Sequence, residues 1–282
     1  MLEGIRIIEL EGLGPGPFAA MMLADLGADV IVVHRPSSSV PSMPEQNIID
    51  RGKRSIVLDL KNKDGLTNMK KLIATADGLI EGFRPGVMEG LGLGPEVILK
   101  NHPGLVYGRM TGWGQNGPKA KDAGHDLNYI ALSGALWYAS SAGTPPFTPP
   151  TLAGDIGGGA LYLVAGILAG LLRAQSTGKG TVIDAAIVDG SAHMMNLLMS
   201  TQAAGLLSPN RGESFLDGPP WSRCYACADD EWISVQCLEP KFYAVFIEKL
   251  DLKNDPDFNQ QMDQSVWPKM TARLEQLFSQ YP

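Results

Sequence analysis

Three polar positions stand out in otherwise apolar stretches. They are His125 in Gly124-His125-Asp126, Asp155 ahead of Gly157-Gly-Gly159, and Glu239 ahead of Pro240. His125 opens a stretch of helical periodicity over 127–138, and a helix N-terminus disfavours imidazolium, so a neutral base is expected there near pH 7. Asp155 heads a strongly apolar helix expected over 155–175, a position that favours the ionised carboxylate, while the following glycines admit a close ligand. Glu239 is placed to meet a histidine ring nitrogen and fix its tautomer. A His and an Asp on opposite sides of one carbon can move a proton from one face to the other. A thioester next to that carbon would take the developing enolate charge, given backbone N–H donors at its oxygen. Each residue also has a plainer reading: Asp155 as a helix cap, His125 as a satisfied buried histidine.

The elements that must position these groups read as alternating strands and helices. Ile5-Arg-Ile-Ile-Glu-Leu10, the turn Gly12-Leu-Gly-Pro-Gly-Pro17, a helix over 18–26 and a strand over 27–33 make one unit with a crossover, hence a parallel sheet buried on both faces. Further strands are expected at 55–60, 78–83, 105–109 and 181–187, with helices at 64–76, 95–100 and 191–206. Beyond a Gly- and Pro-rich loop, 222–227 and 231–237 read as a hairpin, followed by helices near 241–250 and 268–279. The fold class is therefore α/β, with a Rossmann-like large domain over 1–190, a linker helix and loop over 191–215, and a smaller α+β domain over 216–282.

The turn after the first strand fails as a dinucleotide fingerprint. Pro17 stands where a third glycine belongs, and His34-Arg35 replaces the ribose-binding acid. Arg35, Lys61 and Arg84 instead follow successive strands, so they either converge on one phosphorylated ligand at the sheet's carboxyl edge or are unrelated solvated cations. Lys53 and Arg54 lie nearby. The net charge of −7 argues against nucleic acid and anionic membranes as partners. The apolar run 160–172 is short of the ~20 residues that span a bilayer, and the N-terminus lacks a signal-peptide pattern. Three cysteines, two of them in Cys224-Tyr-Ala-Cys227, read as inert thiols in a reducing compartment. A cytoplasmic location is expected, or a peroxisome or mitochondrion in a eukaryote. The Met-rich helix around His193 reads as core or as an adaptable face for acyl chains.

Glu9-Leu10, Gly14-Pro-Gly-Pro17, Leu23-Ala-Asp-Leu-Gly-Ala-Asp-Val30, Arg51-Gly-Lys-Arg-Ser55, Leu58-Asp-Leu-Lys61, Glu81-Gly-Phe-Arg-Pro-Gly-Val87, Thr111-Gly-Trp-Gly-Gln115, Ala123-Gly-His-Asp-Leu-Asn-Tyr129 and Gly154-Asp155 resemble family III CoA-transferases along the whole chain. The His-containing motif and Leu238-Glu-Pro-Lys-Phe-Tyr243 are similar to the α-methylacyl-CoA racemases of that family. The resemblance implies an Asp155/His125 acid–base pair supported by Glu239. It implies a coenzyme A site at Arg35, Leu58, Asp59, Leu60, Lys61, Gly82, Phe83, Arg84, Gly124, Asp126, Leu127, Asn128 and Tyr129. It further implies an interlocked homodimer, 2-methyl-branched acyl-CoA thioesters as substrates, no metal and no cofactor beyond the coenzyme A of the substrate, and a C-terminal segment beyond residue 282 that returns to the large domain. Rival readings are a CoA-transferase with Asp155 as nucleophile and a non-catalytic CoA-binding or dimerisation fragment.

Overall fold

The structure is a computed structural model that describes residues 1–36 and 47–282. Strand β1 (Arg6–Leu10) leads through α1 (Pro15–Asp25) to β2 (Asp29–His34), and β3 (Lys53–Val57) leads through α2 (Lys63–Ile73) to β4 (Gly78–Glu81). The short α3 (Val87–Gly90) and α4 (Pro95–Asn101) precede β5 (Val106–Thr111); α5 (Asp126–Ser133), a π-helical segment (Leu152–Ala160) and α6 (Leu161–Thr177) precede β6 (Thr181–Ala186) and α7 (Ile187–Met194). All six strands pair in parallel in the order β3-β2-β1-β4-β5-β6. The order reverses between β1 and β4, so a crevice opens there beyond the strands' carboxyl ends.

Alternation along the strands feeds both faces of this sheet. Ile7, Val30, Ile80 and Val106 pack with Ala19, Leu23, Leu163 and Ile167 of α1 and α6. Ile8, Val33, Leu79 and Tyr107 pack on the other face with Met69 and Ile73 of α2 and Ile98 of α4. The π-helical segment and α6 run on as one helix of 26 residues, long and apolar enough to cross a bilayer by length and composition. Here Leu163, Val164, Ile167 and Leu171 of that helix are buried in the sheet core. The expected helix over 127–138 stops at Ser133, where Gly134 takes a left-handed φ of 85° and closes α5.

The chain divides into two compact units, residues 1–136 with 148–195, and 137–147 with 196–282. This differs from the division expected at 190 and 215. The segment 137–147 joins the second unit because Arg211 donates to the carbonyls of Ala139 (3.0 Å) and Thr144 (2.5 Å), and Trp137 Nε1 donates to that of Pro209 (3.0 Å). The second unit also holds α8 (Asn196–Ala203), the antiparallel hairpin β7 (Ser222–Ala226) and β8 (Trp232–Gln236), α9 (Pro240–Lys249) and α10 (Trp267–Phe278). Its core is aromatic: the indoles of Trp221 and Trp267 both donate to the Gln261 carbonyl, at 3.1 and 2.9 Å. Cys224 is exposed on β7 and Cys237 is buried, its thiol pushed up to about 11 by desolvation.

Candidate active site

His125 is the residue before α5, in extended backbone, and its N–H donates to Asn128 Oδ1 at 3.0 Å. The preceding peptide is wedged. Gly124 lies against Trp113 and Tyr129, its carbonyl accepts from the Tyr129 hydroxyl, and the two rings meet edge to face at 4.7 Å. The first N–H groups of α5, those of Asp126 and Leu127, have no acceptor among the described residues, as the first turn of a helix dictates. They supply positive potential beside the imidazole.

Asp155 is not a helix cap. It is the fourth residue of the π-helical segment, whose cap is Thr151 at a left-handed φ of 63°, rare for a β-branched residue. Nor do the neighbouring glycines leave room for a ligand as expected. A Cβ on Gly154 would lie 2.5 Å from Asp126 Oδ1, and one on Gly158 would lie 2.2 Å from Ser191 Oγ and 2.9 Å from the Ile187 carbonyl oxygen. They let the segment sit directly against α5 and α7. The Asp155 carboxyl nevertheless holds its proton to higher pH than its expected place at a helix start implies. Burial, then the charge of Asp126, raise it from the ordinary 3.8 to about 6 against the opposing pull of His125.

His125 and Asp155 line one cleft of about 620 Å³ together with Asp126, Tyr129, Thr151, Gly82, Met110 and the turn Gly12–Pro17. The cleft lies over the carboxyl ends of β1, β4 and β5, at the reversal of strand order. Gly14 in that turn has a φ of 66°, and a Cβ there would stand 3.7 Å from Asp155 Oδ2. Lys53 braces the turn from beneath. Its side chain is 1% exposed, and the ammonium pairs with the buried Glu9 at 2.7 Å and donates to the Pro17 carbonyl at 2.9 Å. Lys53 is therefore structural rather than a phosphate ligand, and Arg54 is engaged by Asp29.

A second, smaller cleft of about 250 Å³ opens over the ends of β1, β2 and β3. Arg35, Leu58, Asp59, Leu60, Lys61 and Phe83 line it, with His34 and Glu11. Leu10 borders both clefts. Glu11 accepts from the Arg35 backbone at 3.0 Å and its guanidinium at 3.4 Å; burial alone would raise Glu11, but these contacts and His34 hold it below the ordinary carboxylate range. Beneath the 82–84 turn, Glu81 accepts from the Phe83 N–H and from Arg109, both at 2.8 Å. Arg109 also grips Glu89 at 2.8 Å.

Of the residues expected to bind coenzyme A, the cleft over β1–β3 gathers Arg35, Leu58–Lys61 and Phe83, whereas Gly82, Asp126 and Tyr129 line the cleft of the acid–base pair. Arg84 is exposed and lines neither, so of the three cations only Arg35 and Lys61 share a cleft. Leu127 and Asn128 are exposed, and Gly124 packs behind Tyr129. Asp126 is buried with a carboxylate oxygen on the Asp155 amide, which leaves it supporting the site rather than gripping a ligand's phosphates. Glu239, exposed, stands at the N-terminus of α9 in the second unit. The part played by Thr151 and the 12–17 turn was not readable from the sequence, because it arises from where the chain crosses the sheet edge. Among the described residues no group of three or more His, Cys, Asp and Glu side chains could hold a metal ion.

Known proteins carry the same plan. The chain is 42% identical to mouse alpha-methylacyl-CoA racemase and 43% identical to the human enzyme, in each case over 99% of this chain and 72% of the relative. A crystal structure of a CAIB/BAIF family protein from Brucella suis superposes with a TM-score of 0.82 at 28% identity, over 99% of this chain and 78% of that one. Residues 2–282 match the model of CoA-transferase family III, and the chain belongs to that family.

Proposed function

We propose that the protein is a racemase that inverts the α-carbon of 2-methylacyl-CoA thioesters, with His125 and Asp155 as the two proton carriers. The observation that carries this reading is the single cleft lined by both side chains, with Asp155 raised to about 6. A carboxyl tuned to that range holds and releases a proton near neutral pH, as a general acid–base group must. One group takes the α-proton as the electron pair moves into the thioester carbonyl, giving an enolate. The other returns a proton to the opposite face, the electron pair comes back to carbon, and the thioester bond is never broken. The N–H groups at the start of α5, without an acceptor among the described residues, are the donors suited to the enolate oxygen. Arg35 and Lys61 supply positive charge for the phosphates of coenzyme A.

The same proposal has Glu239 orienting His125, in an interlocked homodimer. The mouse and human relatives named as racemases support the activity. In a CoA-transferase the Asp155 carboxylate would attack the carbonyl carbon and form an acyl anhydride, work for which an imidazole in the cleft is not needed. Chiral chromatography of a single 2-methylacyl-CoA epimer incubated with the protein tests the reading. Approach to an equal mixture of epimers is expected. Retention of configuration, with coenzyme A moved to an added free acid, would establish the transferase instead.

A further inference from the structure

The proton-transfer reading leaves one buried charge in the cleft without a role, and the inference drawn from it rests on that reading. We propose that Asp126 is the positioning residue of the acid–base pair: it clasps the Asp155 segment to the start of α5 and sets its own negative charge against the Asp155 carboxyl. Asp126 is 7% exposed, and its Oδ1 accepts from the Asp155 N–H at 2.7 Å. It directly follows His125, so one side chain fixes the distance between the two proton carriers. Gly154 makes the clasp possible, since any larger residue would put a carbon on the Asp126 oxygen. The clasp also occupies the Asp155 amide, leaving the N–H groups of Asp126 and Leu127, without an acceptor among the described residues, as oxyanion donors.

The charges around Asp155 single out Asp126. From α5 and its cap, Asp126, His125 and Tyr129 face it. Other groups on the surrounding elements are engaged elsewhere. Asp184 on β6 holds the Gln115 amide, Arg109 on β5 is tied to Glu81 and Glu89, His193 on α7 meets the Tyr162 hydroxyl from α6, and Asp25 on α1 pairs with Arg51. Asp189 on α7 and Arg173 on α6 are not among the charges acting on it. Two carboxyls in one cleft do not ionise independently, and the negative charge of Asp126 disfavours a second charge on Asp155. Asp126 thus moves Asp155 toward the range in which imidazoles titrate, so that either partner can start the reaction protonated.

The test is Asp126→Asn, which keeps the oxygen acceptor and removes the charge. Two readouts are taken: α-hydrogen exchange of 2-methylacyl-CoA against pH, and ¹³C NMR titration of aspartate-labelled protein, with the Asp155 signal assigned by its loss in Asp155→Asn. The expected result is that the Asp155 titration and the acid limb of the exchange profile both move down by roughly 1 pH unit. An unmoved Asp155 titration overturns the proposal. Should the wild type show no exchange while the titration moves, the racemase reading falls and the Asp126 coupling stands. If Asp126→Asn does not fold, Asp126→Ser, with an oxygen acceptor in a smaller side chain, carries the same expectations.

Discussion

At Asp155 function and stability pull in opposite directions. Below pH 3.8 the folded and unfolded chains both carry its proton, and burial costs nothing. Between pH 3.8 and about 6 the unfolded chain gives up the proton while the folded chain keeps it, so stability is lost across that window, and above it the folded chain holds a desolvated charge at a constant cost. The shift corresponds to about 3 kcal/mol in full, reduced by partial solvation to about 1–2 kcal/mol. Asp155→Asn is therefore expected to raise the unfolding free energy by about 1–2 kcal/mol at pH 8 and by little at pH 4, as read from urea melts at each pH, while abolishing activity. His125 and Asp155 were legible in the sequence because each is a titratable side chain directly after a glycine and beside a helical pattern. The raised value of Asp155 was not, because it comes from burial and then from the charge of Asp126, 29 positions away, and both depend on the packing of α5 against the π-helical segment.

The elements hold this geometry by close approach. The π-helical segment fits against α7 only while Gly158 lacks a side chain, since an added Cβ would meet the Ser191 backbone and the Ile187 carbonyl. Gly158→Ala is expected to cost about 2–4 kcal/mol in thermal or urea unfolding and to displace Asp155, so that activity falls with stability. Ser191→Ala is the contrasting case. Its buried hydroxyl has no partner among the described residues, so removing it is expected to be neutral or slightly stabilising. Lys53 and Glu9 form a buried pair, and Lys53→Met would strand Glu9 at a cost of about 3–5 kcal/mol while loosening the turn at Pro17. Hydrophobic alternation and turn residues gave most strands and helices to within a few positions, but the single helix expected over 191–206 is two, α7 and α8, and the short α3 was not expected. Periodicity could not distinguish π from α geometry at 152–160, because both present apolar residues at similar spacing.

Over the whole molecule, a chain of net charge −7 still places two cations at one cleft beyond the carboxyl ends of β2 and β3. Arg35 and Lys61 flank one cleft although Arg35 already touches Glu11. Coenzyme A affinity is accordingly expected to fall with added salt and to drop about tenfold in Arg35→Ala, measured by calorimetry at two ionic strengths. The parallel sheet was readable from buried strands joined by crossovers; its order, with the reversal between β1 and β4 where the cleft of His125 and Asp155 lies, was not, since order depends on pairings no local pattern encodes. The placement of 137–147 with the second unit likewise rests on Arg211 contacts across some 70 residues. Central to the account is that two side chains in one cleft serve opposite faces of one carbon. Deuterium uptake at the α-carbon of each pure 2-methylacyl-CoA epimer, followed by ¹H NMR in D₂O, tests it most directly. The wild type should exchange both epimers, with His125→Ala losing one far more severely than the other. Exchange rates unchanged by His125→Ala, or absent in the wild type, would contradict it.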